Sequence, residues 1–338
     1  MRTSALGAMV VTVAAGLMAG GCGSQDEAAD PEVGVPVPPS SHTVTEAEYE
    51  RWKTEVSNWG RWGPEDELGA LNLITPEKRT QAAALVREGV SVSLSRDADL
   101  GDGARPGPYR RIMDQVGPTG AADHLEVRFH GGVVTHIDAF AHRFFDGRMW
   151  NGHSYEEITE ENGAARNSIY NLKDGIFTRG ILMDIPRLKG VEYLEPGTRI
   201  YPEDLEAWEE EAGIRVSAGD AVFIRTGRWA RIDQLGGGPV PGGEPGLDPS
   251  VIPWLKQRDV ALLGGEYAQD AAPVGDMPGL AVHDFALIAL GIHLFDNCRL
   301  DAVAEAAAAY GRWEFLLTAA PLAVPGGTGS PLNPIATF

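Results

Sequence analysis

The chain has 338 residues, 43% hydrophobic and 22% charged, which is the balance of a folded soluble domain and not of a disordered chain. Its 48 acidic residues against 28 basic ones give a net charge of -20, which repels a phosphate backbone and argues against nucleic-acid binding by charge neutralisation. With two cysteines, Cys22 and Cys298, a disulfide framework and a CxxC metal or redox site are excluded.

Arg2 and the small, apolar run from Ala5 to Gly21 read as a secretory signal over residues 1–22. Ala19-Gly20-Gly21 before Cys22 resembles a bacterial lipoprotein signal, although Ala19 stands where Leu is usual. The resemblance implies lipidation at Cys22 and an exported, cell-envelope protein, or otherwise a periplasmic or secreted one. The run is short and weakly apolar for a membrane span, so a lipid anchor is the only membrane contact expected. Residues 23–44 read as a flexible tether, with four prolines and four acids in 23–41.

Thr45 and Glu48 form a capping-box pattern that predicts a helix through about Val56. Thr75 and Pro76 open a second helix, closed by Gly89. Strands are predicted over Val90–Leu94, Leu125–His130, Gly180–Ile185, Ala221–Arg225, Val260–Gly264, Ile292–Asp296 and Trp313–Thr318. Helices are predicted over Pro202–Ala212, Pro249–Gln257, Val282–Leu290 and Asp301–Tyr310. Their mixing predicts one α/β domain, 45–338, around a mixed sheet with surrounding helices, and the Gly/Pro-rich run Leu235–Pro249 reads as a surface loop.

Five of the eight histidines fall between positions 124 and 153. His136, Asp138 and His142 are separated by two and four residues. In an extended segment those positions share one face, so two imidazoles and a carboxylate converge, a donor set that suits zinc or manganese. The alternative is three polar side chains solvated separately on the wet face of a strand.

The stretch resembles the His-x-Gly-Thr-His-x-Asp-x-Pro-x-His signature of the cyclase family of metal-dependent hydrolases, which includes bacterial kynurenine formamidases and isatin hydrolases. Thr135-His136-Ile137-Asp138 and His142 match it, and Phe145-Asp146-Gly147-Arg148-Met149-Trp150-Asn151-Gly152 resembles a longer branch. Further likenesses are Trp59-Gly60-Arg61-Trp62-Gly63, Gly69-Ala70-Leu71-Asn72-Leu73, the mid-chain stretch from Gly219 to Gly227, and Gly329-Ser330-Pro331-Leu332-Asn333-Pro334.

The resemblance implies the swivelling β/β/α fold, with His136 and Asp138 as metal ligands and His142 as the proton-transfer residue. His283 and Asp296 are the matching ligands from the C-terminal half, with Asp296 where glutamate is common. The signature's first histidine falls on Gly132, so either His130 reaches in through a local bulge or the site has one ligand fewer. His124 and His153 are expected outside the cluster. Phe140, Phe145, Trp150 and Trp62 are candidate walls of an aromatic substrate pocket, with core packing as the alternative.

A divalent metal with His142 suffices for hydrolysis of an amide, formamide, lactam or lactone. Gly-x-Ser-x-Gly and His-Glu-x-x-His motifs are absent from the sequence. The resemblance implies a hydrolase of a carbon–nitrogen bond most like an arylformamidase, probed with N-formylkynurenine. Such a role belongs to tryptophan catabolism, with which export sits awkwardly. A lactone or isatin-type hydrolase follows closely, and a lipid-tethered binding protein without turnover is the alternative of another class. A homo-oligomer is expected from the same resemblance.

Overall fold

The computed structural model describes residues 44–101, 106–236, 243–272 and 280–338. The signal, Cys22 and nearly all of the tether lie outside the described residues, as does 237–242 of the Leu235–Pro249 loop.

Helix α1 (Glu46–Glu55) starts at the capping box: the Thr45 hydroxyl accepts the Glu48 N–H at 3.2 Å and the Glu48 carboxylate accepts the Thr45 N–H at 2.9 Å. Helix α2 (Pro76–Ala83) has Pro at its first position but stops well short of Gly89. Beyond it the chain leaves for the sheet, and the Gly89 N–H donates to Phe338 O at 2.8 Å.

In chain order the strands of three or more residues are β1 (Ser91–Ser93), β2 (Tyr109–Gly117), β3 (Gly120–Val127), β4 (His136–Asp138), β5 (Ile176–Asp184), β6 (Ala221–Arg225), β7 (Leu262–Gly265), β8 (His293–Asp296), β9 (Glu314–Ala319), β10 (Gly329–Pro331) and β11 (Ile335–Thr337). Nine of them form one mixed sheet in the order β1-β11-β9-β5-β6-β7-β8-β4-β10. Its centre, β5 to β8, is parallel; every other pairing is antiparallel. Strands buried on both faces read as continuous apolar runs, as Leu262-Leu263 and Ala221-Val222-Phe223-Ile224 do.

The predicted strand Leu125–His130 is not in this sheet. It ends at Val127 and pairs only with β2, in a hairpin whose side chains are exposed almost throughout. Strands β10 and β11 escaped the sequence reading because each is three residues long.

Helices α3 (Pro202–Ala212), α4 (Arg228–Gln234), α5 (Ile252–Gln257), α6 (Ala281–Asp284) and α7 (Asp301–Tyr310) surround the sheet. The predicted Pro249–Gln257 helix is a 3-10 turn, Pro249–Val251, followed by α5. The predicted Val282–Leu290 helix is α6 continued by a wider π-helical segment, Phe285–Leu290, buried along its whole length.

The free carbonyls at the end of that segment are satisfied by the N-terminal part of the domain. Ile288 O accepts the Trp59 indole N–H at 2.5 Å, Ala289 O the Asn58 N–H at 2.8 Å, and Leu290 O the Asn58 amide at 2.9 Å. Gly291 O accepts the Ala70 N–H at 2.7 Å. Gly291 (φ 67°) and Gly69 (φ 55°) meet here: a Cβ on Gly69 would overlap Gly291 O, and one on Gly291 would lie 2.7 Å from the Trp150 ring. The Trp59–Gly63 and Gly69–Leu73 stretches are thus the cap of the helical segment that begins at Ala281 and carries His283.

Candidate metal centre

Strand β4 lies antiparallel between β8 and β10, with His136 opposite Asp296 and Asp138 opposite Leu294. Side chains alternate along a strand, so His136, Asp138 and Asp296 face one side. Only His136–Asp138 is extended; Phe140–His142 is a 3-10 turn. The turn still returns His142, whose Nε2 lies 3.9 Å from Asp138 Oδ2.

Asp138 is the centre of the cluster and is wholly buried. His130 Nδ1 is 3.1 Å and His136 Nε2 3.3 Å from its Oδ1, and His283 Nε2 is 3.1 Å from its Oδ2. Asp296 Oδ2 completes the group, 3.6 Å from His283 Nε2 and 4.0 Å from His136 Nε2. His130 and His142 stack with ring centroids 4.1 Å apart, and both are open to solvent, at 31% and 26% of their side chains. The structure therefore brings His130, His136, Asp138, His142, His283 and Asp296 together. His130, not position 132, fills the place beside Asp138; a Cβ on Gly132 would face the Tyr267 ring at 3.1 Å.

The surrounding bonds orient these groups. The Val134 carbonyl lies 2.8 Å from His136 Nδ1, which gives that nitrogen the proton and leaves Nε2 as a donor atom facing Asp138. Asn297 donates to Gly131 O at 2.6 Å and to Val134 O at 3.0 Å, and its carbonyl accepts the Thr135 hydroxyl at 2.7 Å. Asn297 thus ties the Gly131–Thr135 loop between His130 and His136, to which Arg96 adds bonds at Val133 O and the Thr135 hydroxyl. Asp270 accepts the Val282 and His283 N–H groups at 2.8 and 3.0 Å, which fixes the start of α6. Gln269 donates to Asp296 Oδ1 at 3.0 Å.

The electrostatics fit a cation. Burial opposes charge on His136 and His283, yet their hydrogen bonds to and proximity to Asp138 and Asp296 outweigh it and push their pKa values up to about 9 and about 10. Burial likewise opposes ionisation of Asp138, but the imidazoles around it hold it well below the carboxylate range. Asp138 Oδ1 is buried without a hydrogen-bond partner of good geometry. Two sets of donor atoms, His130/Asp138/His142 and His136/Asp138/Asp296, each lie within 4.8 Å of one another. Carboxylates arranged to stabilise two buried imidazolium charges also suit a divalent ion, which displaces those protons. His142 behaves differently: burial pulls its pKa down to about 4 and it stays neutral at pH 7.

The aromatic candidates need correcting. Phe140 and Trp150 are wholly buried behind the cluster: Phe140 stacks on His293 at 3.9 Å, and the Trp150 indole donates to Asp66 O at 3.1 Å. Both pack the core and do not wall an open pocket, since neither ring reaches the surface. Phe145 and Trp62 are part-buried, Phe145 against Tyr49 and Phe285, Trp62 against Trp150. The aromatic ring at the cluster is Phe129, 4.5 Å from the His130 ring and 5.8 Å from that of His136. Sequence reasoning missed it, although it directly precedes His130. It also missed His293, whose Nδ1 lies 2.9 Å from Asp138 O and whose pKa burial pulls down to about 4. His124 pairs with Asp114 on the exposed hairpin and His153 with Glu157, both outside the cluster as expected.

The Cyclase family model matches residues 41–269 of this chain. The chain is similar to the crystal structure of a novel cyclase at 30% identity, with 83% of this chain and 99% of that one covered and a TM-score of 0.76. It shares its fold with an isatin hydrolase bound to the product analogue thioisatinate, at 20% identity, coverage of 75% and 93%, and a TM-score of 0.52. Isatin hydrolase A from Ralstonia solanacearum is similar at 22% identity, coverage of 76% and 93%, and a TM-score of 0.52. No curated protein matches the chain.

Proposed function

The chain belongs to the Cyclase family, and from that premise we propose that it is a metal-dependent hydrolase of a carbon–nitrogen bond, most like an arylformamidase. One observation carries the reading: four imidazoles surround buried Asp138, Asp296 joins the group through His136 and His283, and one imidazole, His142, is neutral and open to solvent. His136, Asp138, His283 and Asp296 would hold zinc or manganese, with His130 at the open side. The chemistry such an ion would supply there is polarisation of a carbonyl and a water ionising near neutral pH. His142 accepts the proton of the attacking water and returns it to the leaving nitrogen, while Asp138 and the buried strands keep bulk solvent from the other side. Phe129 offers a face for an aromatic substrate.

A cyclic amide of the isatin type is the second reading, favoured by the fold shared with two isatin hydrolases; a lactone needs the same groups. The leader-like and tether-like sequence over residues 1–44 supports the further proposal of an exported enzyme anchored at Cys22, and a homo-oligomer is part of the same proposal. Purified protein loaded with zinc or manganese should carry stoichiometric metal by elemental analysis and hydrolyse N-formylkynurenine, isatin or a simple lactone. Metal without turnover on all three points to a binding protein. Absence of metal after reconstitution sinks the site.

A further inference from the structure

Arg143 directly follows His142, and the scheme above gives it no role. Its Nε–H donates to Asp284 Oδ1 at 2.6 Å. Asp284 directly follows His283, so the guanidinium bridges the two stretches that bring the proton-transfer residue and a candidate ligand to the cluster. Its positive charge is felt by both His142 and Asp138. The side chain is 35% exposed, and neither terminal nitrogen of its fork has a hydrogen-bond partner among the described residues.

Arg228 and Arg96 direct terminal nitrogens to other groups, although Arg96 Nε is buried without a partner. Arg228 gives its fork to Glu244, with bonds of 2.7 and 2.9 Å. Arg96 lies over the Trp229 ring and donates to Val133 O. Arg143 is the cation beside His142 with a free planar edge, and such an edge matches a carboxylate bidentately.

Resting on the reading of this site as an amide hydrolase, we propose that Arg143 determines specificity by binding a carboxylate carried on the leaving amine. His142 serves the leaving nitrogen, and the next residue in the chain holds an anionic group attached to that same fragment. The substrate class is then an N-acyl or N-formyl derivative of an aromatic amino acid or aminobenzoic acid. In the reaction water adds to the acyl carbon, the carbon–nitrogen bond breaks, the carboxylic acid leaves with the water's oxygen, and the amine leaves protonated by His142.

Two arms test this on the metal-loaded protein. Calorimetric binding compares anthranilate with neutral anthranilamide, and turnover compares N-formylanthranilate with neutral formanilide. The wild type should prefer the anionic member of each pair by about ten- to hundred-fold, the range for hydrogen bonds to a charged group. Arg143→Met should bring both preferences near parity with metal content unchanged, the loss falling on KM for the anionic substrate. Arg143→Lys keeps the charge without the fork and should retain part of the preference; it carries the test if the methionine variant does not fold. An unchanged preference, or equal losses on charged and neutral members, makes Arg143 a strut for Asp284 and overturns the inference. Arginine-dependent binding of anthranilate without hydrolysis of any formamide overturns the hydrolase reading and leaves the anion site standing.

Discussion

Replacing Asn297 with alanine should disturb both the fold and the metal centre, because its side chain binds two carbonyls of the loop between His130 and His136. Gly131 O loses its donor, but the residue is exposed and water can replace it, so the cost is about 1 kcal/mol. Val134 O keeps His136 and loses less, about 1 kcal/mol. Asn297 also has φ 54°, where alanine costs about 1 kcal/mol more than asparagine. Asn297→Ala should therefore lose about 3 kcal/mol in urea unfolding, and Asn297→Gly, which tolerates the backbone, about 2 kcal/mol. Because Val134 O also sets the His136 tautomer, zinc affinity measured by competition with a chelator should fall about ten-fold or more. A loss below about 1 kcal/mol with unchanged zinc affinity would show that the loop is held by something other than these bonds.

His142→Ala should abolish turnover while metal content stays near that of the wild type, whereas Asp138→Ala should lose both; equal metal loss in the two variants would refute the division of roles. Gly69→Ala puts a Cβ against Gly291 O in left-handed backbone, and should cost about 2–4 kcal/mol. Thermal unfolding within about 2 °C of wild type would mean that the two glycines part without consequence.

Much of the centre was readable because strand period is a local property. His136 and Asp138 share a face by parity alone, and the capping box and Pro76 marked two helix starts. Asp296 became opposite to His136 through a pairing of strands about 160 residues apart, which no spacing encodes. His130 reaches Asp138 from the end of a hairpin that periodicity assigned to the main sheet. Phe140 and Trp150 were misread for a related reason. Nearness to His142 in the chain was taken for nearness in space, but the 3-10 turn sends Phe140 into the core. The wider turns of Phe285–Leu290 are likewise silent in an apolar run that suits α and π geometry equally.

The last strands of the chain bear on how the molecule is made. β10 pairs with β4 beside the metal centre, and β11, only three residues later, pairs between β1 and β9 at the far end of the same sheet. A polypeptide emerging from the ribosome N-terminus first exposes His130, His136 and Asp138 long before Asp296 and β10 exist to cover them. The ligands of this centre thus spend most of synthesis as an unpaired strand, and contacts of such long sequence separation close slowly. A site assembled in this way is complete only once the C-terminal strands have paired.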